Sequence, residues 1–167
     1  MLPIMIWSQE FDSRDDTTPP ELTYFAFSPD TVDVTDSSAV VDITIGWEDD
    51  ISGLEYLNIF FYSPSGGQYA YSGYWAPEPS LGDTVTVSMT IEQYAEEGTW
   101  SASQIYLQDL TGNSVWLDST QLANMGYQTN LEVISEQDIS PPTLTYFDFS
   151  PDSVNVVDSS AVVDVTI

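Results

Sequence analysis

The chain has 167 residues, with 27 Asp and Glu against a single Arg and no Lys, His or Cys, so its formal net charge is −26. That charge repels phosphate backbones and anionic lipid, which excludes nucleic acid and membrane surfaces as partners. The missing residue types exclude disulfides, thiolate metal sites, Ser-His-Asp and Cys-His catalysis, Schiff bases and a P-loop lysine.

In chain order, Met1–Trp7 is apolar but too short to span a bilayer and lacks a basic leader, so no membrane insertion is expected and an export signal would lie outside these residues. Residues 1–15 read as the tail of a preceding unit or a linker. A polar stretch from Arg14 to Thr18 then meets Pro19-Pro20, which fixes φ and stiffens the entrance. Period-two alternation follows. Strands are predicted at 22–27, 39–47, 54–62, 69–75, 84–91 and 99–108, with a last one at 114–117 continuing at 130–134. Val41, Ile43, Ile45 and Trp47 form one inward row, Leu57, Ile59 and Phe61 a second, and Val85, Val87, Met89 and Ile91 a third. Turn signals separate the runs at Ser28-Pro29-Asp30, Asp50–Gly53, Ser63–Gly67, Gly82-Asp83, Glu96–Gly98 and Asp109–Asn113. Ser119–Met125 is the one stretch with a helical turn. About seven short strands at this spacing predict an all-β, immunoglobulin-like antiparallel β-sandwich. Trp47 and Trp100 are expected in its core, and Tyr94 as a structural corner tyrosine.

The strongest signal is a duplication. Residues 16–45 and 138–167 align without a gap, and 22 of the 30 positions are identical, at a period of 122 residues. The expected organisation is a preceding tail at 1–15, one sandwich repeat at 16–137, and the two opening strands of a further repeat at 138–167. By this register Phe11 stands where Val133 stands one period later. A period of one small domain marks a tandem array. Two strands without a second sheet are marginal in water, so residues 138–167 are expected to be disordered or to dock on a neighbouring copy by strand donation.

Two groups carry candidate chemistry. Asp15 and Asp16 precede the first strand, Glu48, Asp49 and Asp50 follow the second, and Asp109 and Asn113 follow the sixth. Strand direction in a sandwich of this kind puts all three places at one pole. Oxygen ligands there would suit Ca²⁺, which would stiffen the joint. The alternative is that Asp-x-x-Gly-Asn is a hairpin turn and Glu-Asp-Asp a solvated loop. The second group is Tyr69, Tyr71, Tyr74 and Trp75, whose rings would stack on a glycan or else merely fill the outer sheet. Paired carboxylates could in principle hydrolyse a glycoside, but a small tandem unit seldom carries a deep cleft, and the Asp-Thr-Gly or Asp-Ser-Gly element of the aspartic-protease type is absent, so no enzyme is expected.

Taken in order, Asp16-Thr-Thr-Pro-Pro20, Phe27-Ser-Pro29, Asp49-Asp-Ile-Ser-Gly53, Tyr62-Ser-Pro-Ser-Gly-Gly67, Tyr94…Gly98-Thr-Trp100 and Asp109-Leu-Thr-Gly-Asn113 resemble the bacterial immunoglobulin-like, cadherin-like repeats of large secreted and cell-surface proteins. The resemblance spans 16–137 and restarts at 138. It implies an extracellular stalk, spacer or fibre-forming module, as in adhesins, with calcium at the Asp-Asp and Asp-x-x-Gly-Asn loops. Neighbouring copies of the repeat are the expected partners, in the same chain or between chains. A carbohydrate-binding module and a filament subunit joined by strand donation stand as alternatives.

Overall fold

Alternation sets the strands, and where each inward row finds a partner decides how long they grow. The computed structural model describes residues 16–136, 138 and 140–167, in two units divided between residues 137 and 138. The first unit contains β1 (Glu21–Ser28), β2 (Thr31–Asp33), β3 (Ala39–Glu48), β4 (Leu54–Tyr62), β5 (Tyr69–Ser80), β6 (Gly82–Ile91), β7 (Gly98–Asp109), β8 (Ser114–Leu117), α1 (Ser119–Asn124) and β9 (Asn130–Ile134). The second contains β10 (Asp148–Ser150) and β11 (Asp164–Thr166).

The first unit is an all-β sandwich. One sheet has the order β1-β3-β6; the other runs β2-β9-β7-β4-β5, with β8 also on β7. The predicted inward rows of the two central strands meet between the sheets: Val41, Ile43, Ile45, Leu57, Ile59 and Phe61 have no exposed surface. Each such side chain contributes roughly 1.5–3 kcal/mol by leaving water. Trp47 and Trp100 join this core, and their indole N–H groups donate to the Ser80 carbonyl at 3.1 Å and the Glu96 carbonyl at 2.8 Å, so burial leaves no orphan donor.

Four expectations are corrected. The three-residue strand β2 has no counterpart among the predicted runs. It forms because the chain leaves the first sheet at Ser28-Pro29-Asp30 and lies parallel along β9 in the other, burying Val32 and Val34, so one pair in the sandwich is parallel. The predicted last strand is two strands, β8 and β9, which share one edge of β7. Between them α1 buries Leu122 and is closed by a capping box, with Asp118 Oδ1 accepting from the Gln121 N–H at 2.8 Å and Gln121 Oε1 accepting from the Asp118 N–H at 2.9 Å. The turn expected at Gly82-Asp83 lies inside β6, because the longer β5 passes to β6 at Leu81. Tyr94 is no corner tyrosine: it holds φ 64° in the turn closed by the Ala95 N–H to Glu92 carbonyl bond of 3.2 Å, and 51% of it is exposed. Phe11 lies outside the described residues.

In the second unit β10 and β11 pair antiparallel, Phe149 opposite Val165. Leu144, Phe147, Val154, Val156, Val163, Val165 and Ile167 are all exposed there.

Candidate functional site

Three loops come together where β3 and β7 end. Asp109, the last residue of β7, pairs with Leu54, the first of β4, and the Leu110 N–H donates to the Gly53 carbonyl at 3.1 Å. The 49–53 loop is thereby laid against the 109–113 hairpin. Gly53 makes the turn with φ 80°, and a Cβ on it would come 2.8 Å from the Ser80 nitrogen, so only glycine fits both the backbone and the space. The segment entering β1 is pinned to both loops: the Ser52 N–H donates to Asp16 Oδ2 at 2.9 Å, and Asn113 Nδ2 donates to the Asp16 carbonyl at 3.2 Å.

The outcome is a cluster in which single carboxylate oxygens of Asp16, Asp49 and Asp109 all lie within 4.8 Å of one another. At an effective dielectric constant of about 20, each such like-charge contact is worth about 3 kcal/mol of repulsion. Among the described residues there is no cationic side chain to offset it. Backbone and side-chain donors carry part of the load. Asp109 is fully buried; its Oδ1 accepts from the Thr111 and Asn113 N–H groups, both at 2.8 Å, and its Oδ2 from Asn113 Nδ2 at 2.7 Å. The Ser52 hydroxyl beside Asp16, and then the Thr18 N–H, hold the Asp16 carboxyl below the usual carboxylate range. That hydroxyl is near enough to act but is buried without a well-formed hydrogen bond. Asp49 is the group under strain. Its Oδ1 accepts from Gly53 at 2.6 Å and Ile51 at 3.1 Å, while its Oδ2 is buried with no partner. Burial pushes its carboxyl above the usual range, and the charges of Asp16 and Asp109 push the same way against those two N–H groups.

Of the predicted metal-site residues, the fold therefore brings Asp16, Asp49 and Asp109 into one cluster. Asn113 sits among them as a hydrogen-bond donor. Asp50 is linked only through the Thr18 hydroxyl, which donates to its Oδ1. Glu48 is exposed at the end of β3, opposite Gly82 and Glu21, and Asp15 lies outside the described residues. Ser52 belongs to the site and carried no signal in the sequence beyond its place in the turn. Three carboxylates with one unsatisfied oxygen are a donor set for a hard cation.

The aromatic group is sorted by strand alternation. Tyr69, Tyr71 and Trp75 point out from β5 and are 60–66% exposed. Tyr74 points the other way, into the sandwich, with its ring 6.2 Å from that of Trp47, which separates it from the other three. The outward face adds Tyr56, Phe60, Tyr106 and Trp116, which the aromatic run around Tyr62 did not include. Trp75 lies 4.3 Å from Tyr56 with the rings tilted by 32°, Tyr56 meets Tyr106 at 6.2 Å, and Tyr106 meets Trp116 at 4.4 Å. Phe60 lies 5.6 Å from Tyr71 and 6.4 Å from Tyr62. The signal was present in the row Tyr56, Asn58, Phe60, Tyr62, which is the opposite face of Leu57, Ile59 and Phe61.

No protein-family model matches the chain, and no curated protein matches it. Among solved structures it is similar to a β-glucosidase from Listeria innocua. The form with isofagomine aligns at TM-score 0.35, the form with glucose at 0.36 and a third crystal structure at 0.35, each at 14% identity over 71% of this chain. The chain spans 16–17% of the length of those enzymes. Likeness at that level carries no argument about activity.

Proposed function

We propose that the chain is a non-catalytic structural repeat, a spacer or fibre-forming module of an extracellular or bacterial cell-surface protein, rigidified by Ca²⁺ where one repeat enters the next. The reading rests on the duplication. Asp16, which lies in the carboxylate cluster, recurs as Asp138 one period of 122 residues on, again just ahead of a Pro-Pro step. A cation held by Asp16, Asp49 and Asp109 would tie the entrance segment to two loops of the sandwich and limit bending at the joint. It would also relieve the burial of Asp49 Oδ2.

Calcium in excess over a typical extracellular-module affinity would raise the melting temperature by roughly 3–8 °C, and EDTA would reverse it. Asp49→Asn keeps the Oδ1 acceptor while removing the strained charge. It should abolish the calcium response without lowering the melting temperature in EDTA. A melting temperature indifferent to calcium removes the ion from this reading. A chain of linked repeats whose scattering length fails to grow linearly with repeat number removes the spacer role.

Strand donation in a filament is the second reading, favoured by the apolar residues of the second unit that lie exposed while their counterparts in the first are buried. It predicts oligomers in sedimentation, lost when residues 138–167 are deleted.

A further inference from the structure

The outward face of β4, β5, β7 and β8 has a composition unlike the rest of the chain. In a protein with 27 carboxylate residues among 167, none of the residues 56–62, 69–75, 101–108 and 114–117 is charged. Within those segments the outward positions hold rings and amides together with Gly73, Ser101 and Ser114, with no Leu, Ile, Val or Met among the exposed aromatics. The row Trp75–Tyr56–Tyr106–Trp116 crosses four strands. At about 4.8 Å per strand step it is on the order of 14 Å long, and the indoles at its two ends are 66% and 56% exposed.

Polar groups are interleaved with the rings. Asn58 stands opposite both Gly73 and Tyr106, in the middle of the face. A Cβ at position 73 would come 2.5 Å from Asn58 Oδ1, so the glycine leaves room for this amide among the rings. Gln104, opposite Phe60, is exposed on the same face. Neither amide has a hydrogen-bond partner among the described residues, whereas Gln108 Oε1 accepts from the Tyr106 hydroxyl.

We propose that this face binds an uncharged polysaccharide. The C–H faces of its pyranose rings would stack on the row between Trp75 and Trp116, and its hydroxyls would bond to Asn58 and Gln104. Ring faces supply apolar contact area at low cost in conformational entropy, and amides both donate and accept. The protein's charge selects against anionic polysaccharides and anionic bilayers, which lack any cation to meet here. Charge depletion with Tyr and Trp also marks the core of a protein interface; the unpaired amides of Asn58 and Gln104 among the rings favour a hydroxyl-rich ligand, and self-association is the outcome the test separates. The inference stands apart from the spacer reading, since a spacer can carry a ligand face or lack one.

Affinity electrophoresis of the whole chain through gels containing hydroxyethylcellulose, xylan or glucomannan, with polygalacturonate as the anionic comparison, tests it. Retardation is expected in at least one neutral gel and not in polygalacturonate. Trp75→Ala and Trp116→Ala should each weaken it roughly tenfold. Tyr24→Ala, which removes a 49% exposed ring from the other sheet, should leave it unchanged. Matching circular-dichroism melts would show that the variants fold. The proposal is overturned by free migration in all three neutral gels, by retardation that survives the double Trp variant, or by self-association lost in that variant without any glycan retention.

Discussion

The same thirty residues occur twice in this chain and reach different ends. In the first copy, Phe25 is 3% exposed and Ile45 is fully buried; in the second, Phe147 is 58% and Ile167 85% exposed. Within the thirty residues the first copy makes β1 of eight residues, β2 of three and the first seven of β3, residues 39–45, and the second makes two strands of three residues, β10 and β11. Some local features are shared. Asp33 Oδ1 and its counterpart Asn155 Oδ1 each accept from the backbone N–H two residues on, at 3.0 Å. Local turn chemistry is thus written in the segment itself. Strand length and burial come from the second sheet and from β6, which the first copy has and the second lacks within its own unit.

The comparison can be broken most forcefully at the aromatic pair. Phe25→Ala should destabilise the first unit by about 3–5 kcal/mol, while Phe147→Ala should stay within about 0.5 kcal/mol of zero. Equal losses in urea unfolding would show that the second copy is docked in solution and that its exposure is not a property of the free chain. A finer test moves the copies toward each other at a core position where they differ. Ile43→Val installs the residue that the second copy has at Val165 and removes one buried methyl, with an expected loss of about 0.5–1.5 kcal/mol. Val165→Ile should be silent by the same measurement.

The smallest effect is a pH dependence. The Thr35 N–H, with its side chain, holds the Asp33 carboxyl below the usual range. A carboxyl depressed in the folded state adds stability above its unfolded pKa, and that stability is lost as pH falls through the folded value. Asn155 has no proton to take up. Asp33→Asn should therefore lower the first unit's stability slightly near neutrality and flatten the acid limb of its stability curve. An acid limb unchanged by the substitution would show that the Asx turn does not sense protonation.

The inward rows of β3 and β4 could be read directly because alternation and burial coincide in the middle of a sheet. β2 could not, since three residues hold no period and its partner, β9, lies about a hundred residues away. That the acidic residues before β1, after β3 and after β7 share one pole could be read from strand direction, but not that Asp16, Asp49 and Asp109, rather than Glu48 or Asp50, would be the ones to meet. Nor could their roles. Asn113 was expected as a ligand and serves as a donor, because its amide nitrogen faces two acidic residues. Among the predicted sugar-facing rings, Tyr74 lies on the inner face, since one residue along a strand reverses the side chain's direction.

By itself the sequence determined the all-β class, the period of 122 residues, the rows that bury and the chemistry that is excluded, because these follow from composition and short-range alternation. Only the tertiary structure decided that β1 and β2 belong to different sheets. It also decided which carboxylate is left with an unpaired oxygen, and that rings from four strands line up on one face. Each of these depends on contacts between residues far apart in the chain, and the two copies show that an almost unchanged segment takes its burial from what it packs against.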